Sequence, residues 1–416
     1  MIDQTRIDDR SYYEDLDSED EFAAFRDRYV TVPGEIYLDG NSLGLPPKST
    51  LTHLDSNVRD GWGSRGIRAW MECDWINLPF KLGDTVAPLI GASAGEIVFA
   101  DSTSVNLFKV VSAAVQLNDS RKVILTENGN FPTDEYVLQG ISEFRDDLEV
   151  RAVSRDNIAE ALKDDVSVLV LTHVHYKTGE IFDMEHLTKT AHKQGSLVVW
   201  DLSHSAGAIP VALNDCGVDF AVGCGYKYLC GGPGAPAFIY VRQEIQSKAL
   251  PAIAAWMGHK APFAFDSLYE PAEGIARFQS GTPPALGLIA LQNGVEMFRN
   301  LKIEALANKS RLLGDLFIER LLAAPKMAKI HLGCPRDSKS RGCQVSFEHE
   351  NSYAIVRALI KRGIVGDFRA PYTMRFGLPA LYTRFVDVFD ATTAILDVIN
   401  TREWDSPEFT KQVAVT

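Results

Sequence analysis

Two stretches of the sequence place an acid and a lysine where an open α/β sheet would expose them. In SLVVWDLSHSAGA (196–208), Asp201 closes an apolar run that reads as a buried strand, and His204 follows three residues later. Sheets of this kind gather their ligand-binding groups at the carboxyl ends of the strands. A second apolar run, VDFAVGCG (218–225), leads into GYKYLCGGPG (225–234), where glycines around Lys227 let the backbone approach a ligand closely. An acid at one strand end and a lysine after the next strand are what pyridoxal 5'-phosphate needs. The lysine forms the Schiff base, and the acid keeps the pyridine nitrogen protonated, so that the ring accepts electrons. A plainer arrangement uses the same residues, with Asp201 as a helix N-cap and Lys227 as a solvated loop lysine.

DSTSVN (101–106) lies between the strand-like EIVFA and the apolar helical stretch NLFKVVSAAV. Ser102, Thr103 and Ser104 would then stand at a helix N-terminus, where N–H groups, hydroxyls and the helix dipole suit a phosphate. An ordinary N-cap explains the same residues. After KVILTE (122–127), the segment NGNFPTDEY puts Phe131 at the tip of a βα loop, positioned to stack on a pyridine ring or to join the core.

The elements that must position these groups read as an α/β fold. KVILTE, VSVLVLTHV (166–174), SLVVWD (196–201) and VDFAVGCG are near-continuous apolar strands. MEHLTKTAHKQG (184–195) is a helix that Gly195 should stop. Apolar strands alternating with helices predict a mainly parallel sheet covered on both faces. Ahead of it, charges with Leu16, Phe22, Phe25 and Tyr29 at helical spacing suggest an amphipathic helix over 15–30. The Pro-, Gly- and aromatic-rich stretch 258–284 has no period, and loops of that length are often functional. A helical region follows over roughly 285–324. Short strands (KIHLG, CQVSFE), a helix (NSYAIVRALIKRG) and a last helix near 384–402 then suggest a smaller α+β domain. The expected division is an N-terminal arm over 1–45, a large domain over 46–299 and a small domain over 300–416.

The 416 residues carry 55 acidic against 42 basic side chains, a net charge of −13. That balance repels phosphate backbones and anionic surfaces, so nucleic acid and membranes are not expected partners. Apolar runs such as AIAAWM (252–257) fall far below the roughly 18 residues of a membrane span. The acidic N-terminus has no apolar signal region. Six scattered cysteines without C-x-x-C spacing read as reduced thiols, and the expected location is cytoplasmic. No metal site is expected.

The motifs YLDGNSLGLPP (37–47), DSTSVN, FPTDEY (131–136), THVHYKTGEI (172–181), WDLSHSAGA (200–208), GYKYLCGGPG, WMGH (256–259), FQSGTPP (278–284) and GDFRAPYTMRFGLPALYTRF (366–385) occur in order. Together they resemble kynureninase, a fold-type I pyridoxal-phosphate enzyme of the aspartate aminotransferase-like architecture. The resemblance implies that Thr103 and Ser104 hold the phosphate, that Phe131 stacks on the ring with Asp134 beside it, and that Thr172 lies at the cofactor edge. It implies that Asp201 pairs with the pyridine nitrogen, that His204 supports the site, and that Lys227 carries the cofactor. Tyr226 would bond the phosphate and is a candidate for proton transfer. Trp256 and Thr282 would reach the phosphate from the partner subunit of a homodimer with a shared active site. Arg375 would grip the substrate α-carboxylate in a bidentate fork, and Asn41, Ser42 and Gly44 match the motif that faces the active site. The family's animal members have a Gly-Lys-Arg-Pro-Trp-like stretch where this chain reads WGSRGIRAWMECDWINLP (62–79), and an Asn where it has Thr282. Both departures lie where the substrate ring would bind, and they favour plain L-kynurenine over 3-hydroxykynurenine, as in a bacterial catabolic form.

The implied reaction is hydrolytic cleavage of the Cβ–Cγ bond of L-kynurenine to anthranilate and L-alanine. A cysteine desulfurase or selenocysteine lyase is the alternative within the same fold type. Those enzymes show a histidine immediately before the lysine and a reactive cysteine on a mobile loop. This chain has Tyr226 there, and Cys343 sits in the strand-like RGCQVSFE. A cofactor-binding regulator would call for a DNA-binding domain or a basic patch, which this acidic chain does not display.

Overall fold

Val166–Thr172 is a strand of seven consecutive buried residues, the pattern of a strand covered on both faces rather than one. It is an interior strand of a seven-stranded sheet in a computed structural model that describes residues 2–323 and 329–411. Across the sheet the order is Ile97–Ala100, Ala237–Val241, Phe220–Gly223, Leu197–Asp201, Val166–Thr172, Val123–Glu127 and Glu149–Val153. The five strands from Phe220–Gly223 to Glu149–Val153 run parallel, and Ala237–Val241 is antiparallel to both its neighbours. The sheet and its helices form a compact unit of Ser49–His173 and Phe182–Arg299. Val98, Val110, Ile124, Val168 and Phe220 join one buried cluster there, and each such side chain stabilises the fold by about 1.5–3 kcal/mol. Asp183 caps the helix Met184–Lys193 by accepting from the His186 N–H, and Gly195 follows it with φ 78°, the expected left-handed stop.

The second compact unit comprises Met1–Lys48, Val174–Ile181 and Asn300–Thr416. The N-terminal segment is therefore not a separate arm. Ile36–Tyr37 pairs in parallel with Ile364–Val365, and Ile7, Tyr13 and Leu38 are buried among Phe317, Ile355, Phe376 and Ile395. Its helix is also shifted: Arg10–Ser18 is α-helical and Ala23–Arg28 is a 3₁₀ segment, in place of one helix over 15–30. A four-stranded antiparallel sheet of Asp367–Arg369, Thr373–Gly377, Gln344–Glu348 and His331–Leu332 carries this unit's polar cluster. The helical region expected over 285–324 is two helices, Ala285–Glu296 and Ile303–Ala323, with residue 324 outside the described residues. Among the described residues, no helix is long and apolar enough to cross a membrane.

Candidate functional site

Because neighbouring strands run parallel, their carboxyl ends fall on one edge of the sheet. Thr172 and Asp201 are the last residues of adjacent strands and are register partners. Phe220–Gly223 pairs with Leu197–Asp201 in the same direction, and Lys227 follows four residues after its end. Asn130 and Phe131 come from the loop after Val123–Glu127, a parallel neighbour on the other side.

The loop around Lys227 is closed by the Gly231 N–H donating to the Gly225 carbonyl at 2.8 Å. A Cβ on Gly225 would lie 2.5 Å from the Pro236 carbonyl oxygen, and one on Gly294 would lie 2.0 Å from that of Leu229. The glycines of GYKYLCGGPG thus serve chain-to-chain packing: Gly225 and Gly231 allow a tight ring of backbone that presents Lys227, and helix Ala285–Glu296 backs it through Gly294.

Lys227 Nζ lies 2.9 Å from His204 Nε2. It stands 5.9 Å from the centroid of the Phe131 ring and 5.8 Å from that of Tyr226. Phe131 is 39% exposed, which removes it from the core and leaves a ring face accessible. Beneath lie two carboxyls, Asp134 and Asp201, both buried and hydrogen-bonded to each other. Burial drives both upward. Asp134 is raised well above the ordinary carboxylate range, with the Asp201 charge as a further cause. Asp201 is held down in part by its bond to Ser203 and by the charge of Lys227. Of the two, Asp134 therefore holds its proton more tightly, and Asp201 is the one that ionises first. The Ser203 N–H donates to Asp201 Oδ1 at 2.6 Å. Thr172 Oγ1 lies 2.6 Å from Asn130 Oδ1 and 3.0 Å from Asp134 Oδ2. Once ionised, Asp201 is a buried charge bonded to Ser203 and Asp134, an arrangement costly unless a cation joins it. A protonated pyridine nitrogen supplies that cation, and the residues fit pyridoxal phosphate on this ground.

Ser102 caps helix Thr103–Leu117, its Oγ accepting from the Val105 N–H at 3.4 Å, so the N-cap reading holds for that residue. Thr103 and Ser104 occupy the first turn, where N–H groups have no intrahelical acceptor. Burial pushes the Tyr226 phenol upward, which keeps it protonated. Trp256 and Thr282 are exposed; Trp256 packs edge-on against Phe263. His173 is structural, with Nδ1 2.9 Å from Ser205 Oγ and burial lowering it to about 4. His175 Nδ1 accepts from the Thr178 N–H, closing a turn.

The four-stranded sheet carries a separate charged cluster. Arg375 is buried, and its fork already holds a carboxylate: Nε donates to Asp367 Oδ1 at 2.8 Å, and Nη2 donates to Asp367 Oδ2. Nη2 also donates to Ser42 Oγ at 3.1 Å, and Nη1 to the Tyr176 carbonyl. Arg369 shares the same carboxylate at 2.7 Å and is about one-third exposed. Asp39 is pushed up to about 7, first by burial and then by the Asp367 charge. With Asp39 neutral, two guanidinium groups face one carboxylate, and the cluster has a positive charge left over for an anion. Asn41 is fully buried against Gly377, with neither amide atom hydrogen-bonded. Sequence reasoning singled out Arg375 in this motif and passed over Asp367 and Arg369, although all three stand in GDFRAPYTMRF. It also passed over Asn130, whose only signal was its place before Phe131.

A family model described as the kynureninase C-terminal domain matches residues 306–395. The kynureninase of Burkholderia pseudomallei (strain K96243) is 42% identical over 407 residues, 96% of this chain and 98% of that protein. The kynureninase of Pseudomonas fluorescens is 41% identical over the same shares. Among solved structures, a C-DES mutant with glycine linked to its PLP cofactor superposes with a TM-score of 0.77 at 17% identity, covering 89% of this chain and 99% of that one. The apo cysteine desulfurase of Thermococcus onnurineus NA1 gives 0.77 at 20% identity, covering 91% and 98%. At such identity, those structures share the fold alone.

Proposed function

The chain belongs to the kynureninase family, with the fold of the fold-type I pyridoxal-phosphate enzymes, and we propose how its residues carry out the hydrolysis of L-kynurenine to anthranilate and L-alanine. The observation that carries the reading is Lys227 beside His204 and Phe131, with the buried Asp134–Asp201 pair beneath.

When bound, the cofactor supplies an electron sink conjugated to the substrate Cα. Lys227 Nζ would hold it and, as a free amine, would take the substrate Cα proton. His204, 2.9 Å away, can relay that proton to and from Nζ. Asp201 holds the pyridine nitrogen protonated, and Asp134, keeping its own proton, donates to Asp201 and fixes its orientation. Phe131 covers a ring face. Thr103 and Ser104 hold the phosphate with the helix N-terminus. Water adds to the substrate γ-carbonyl, and a protonated donor must steady the oxygen that becomes charged. Tyr226, held in its phenol form by burial, suits that task. Arg375, with Arg369 beside it and Asn41 and Ser42 adjoining, takes the substrate α-carboxylate. The protein is incubated with pyridoxal phosphate and either L-kynurenine or its 3-hydroxy derivative, and release of the fluorescent anthranilate product is followed. Faster turnover of plain L-kynurenine is expected, and no cofactor-dependent product would overturn the reading.

The desulfurase alternative finds no thiolate at Cys343. Cys343 is buried, and burial pushes its thiol up to about 11, far from the thiolate such chemistry needs.

Asp39 makes substrate capture pH-dependent. Its carboxyl is neutral below about 7 and ionised above, when it adds negative charge beside Arg369 and Arg375. KM for L-kynurenine should therefore rise roughly three- to tenfold between pH 6 and pH 8.5. The Asp39→Asn variant should show a flatter profile under the same conditions; an unchanged profile would reject the role.

A homodimer with a shared site, in the cytoplasm, is part of this proposal. Trp62, Ile67 and Leu286 are exposed around a groove of about 350 Å³ that Trp70, Trp75 and Pro283 help line. Exposed apolar surface of this kind calls for a partner. Thr282 lies next to Pro283 in sequence, which suits a residue serving the neighbouring subunit. Mixing inactive Lys227→Ala and Thr282→Ala subunits should then regain about a quarter of wild-type activity, since random pairing makes half the dimers mixed, each with one intact site. No recovery would argue for a site built from one chain.

A further inference from the structure

Lys109 lies in the apolar run NLFKVV on helix Thr103–Leu117 and is 0% exposed. Lysine is almost never so placed unless paired. Its Nζ donates to Asp101 Oδ2 and, at 2.8 Å, to the Phe278 carbonyl. The same Asp101 oxygen accepts from Ser280 Oγ at 3.0 Å. Asp101 directly precedes Ser102, has φ 46° in the left-handed region, and its carbonyl accepts from the Ala237 N–H at 2.9 Å. The Ser280 carbonyl in turn accepts from the Met257 N–H at 3.2 Å. Three segments are thus tied at one carboxylate: the turn 101–104, the segment 278–282 and, through Ser280, the turn at Trp256. The cost of this tie is an anion two residues ahead of Thr103, the first of the N–H groups assigned to the cofactor phosphate.

We propose that Lys109 is a positioning residue for the cofactor phosphate: it neutralises Asp101, so that Asp101 can pin the phosphate turn to segment 278–282 without repelling the phosphate. A buried ion pair is weak evidence for stability in itself, and here the charge of each partner is accounted for by what lies next to the other. Burial acts to discharge Lys109, and Asp101 opposes it, so the pair stands or falls together. The inference rests on the reading of Thr103 and Ser104 as the phosphate site.

The test compares the affinity of the apoprotein for pyridoxal 5'-phosphate and for pyridoxal, which lacks the phosphate, by titrating quenching of tryptophan fluorescence. Lys109→Met, close to lysine in volume, leaves Asp101 uncompensated. It should weaken the phosphorylated cofactor about ten- to a hundredfold and pyridoxal less than about threefold. Adding Asp101→Asn removes the stranded charge, keeps an acceptor for Ser280 and places a residue that tolerates the left-handed region. The double variant should recover most of the lost affinity. Ser280→Ala, a mild change that spares the fold, should weaken the phosphorylated form alone by a few-fold. Equal weakening of both ligands by Lys109→Met and Ser280→Ala, or no recovery in the double variant, would overturn the role. A wild-type protein that does not distinguish the two ligands would remove the phosphate site itself, and the proposal with it.

Discussion

Replacing Lys227 with alanine should lower anthranilate production by roughly four orders of magnitude or more, because covalent attachment and proton transfer are lost together. The visible absorbance of the lysine-bound cofactor should vanish in the same variant. The fold should survive. Lys227 is only half-buried, and its hydrogen bond is to His204 Nε2. The loop that carries it is held by the Gly231-to-Gly225 backbone bond and by packing against Pro236 and Leu291, none of which involves its side chain. A thermal midpoint within a few degrees of wild type is the matching expectation. Cofactor should still bind, since Phe131, Asp201 and the helix N-terminus remain, but unattached and removable by dialysis. Activity above about one per cent of wild type would take the proton-transfer role away from this lysine.

The parts of this site that are legible in the sequence are those that a single strand end dictates. Asp201 and Lys227 follow apolar runs that cannot be anything but buried strands, and parallel pairing then puts both on one edge. The parts that were not legible depend on contacts between segments far apart in the chain. Asp134 is in the first turn of helix Pro132–Phe144, where an acid is ordinarily favoured by the helix dipole. Only its packing against Asp201 and Thr172 reveals a carboxyl that stays protonated. Lys109 looks like the polar face of an amphipathic helix until its burial among Asn106, Leu107, Val110 and Ala113 of the same helix is known. The N-terminal segment misleads for a related reason. Its two-residue pairing with Ile364–Val365 is too short to leave a pattern, yet it places Asp39, Asn41 and Ser42 beside the Arg375 strand. The antiparallel Ala237–Val241 is equally silent, because a strand buried on both faces reads the same in either direction.

Arg375 presents the largest effect on substrate selection, and the choice of variant decides what is learned. Arg375→Ala would leave Asp367 buried with only Arg369, about one-third exposed, to balance it, a loss of roughly 3–5 kcal/mol in stability that obscures any effect on binding. Arg375→Lys keeps the charge and loses the planar fork. Ser42 and the Tyr176 carbonyl fix that fork from its remaining sides, so a lysine cannot reproduce its orientation. The variant should lose about a hundredfold or more in kcat/KM for L-kynurenine, while its affinity for pyridoxal phosphate stays within about twofold of wild type. The amine analogue of kynurenine that lacks the α-carboxylate separates clamp from scaffold. Rates of proton exchange at the carbon next to its amine, followed in deuterated water, should be slow in wild type and equally slow in the variant. A general distortion of the protein would slow the analogue as much as it slows kynurenine. If both substrates lose the same factor, Arg375 is structural, and the positive charge left over in its cluster belongs to Arg369, the more exposed of the two guanidinium groups.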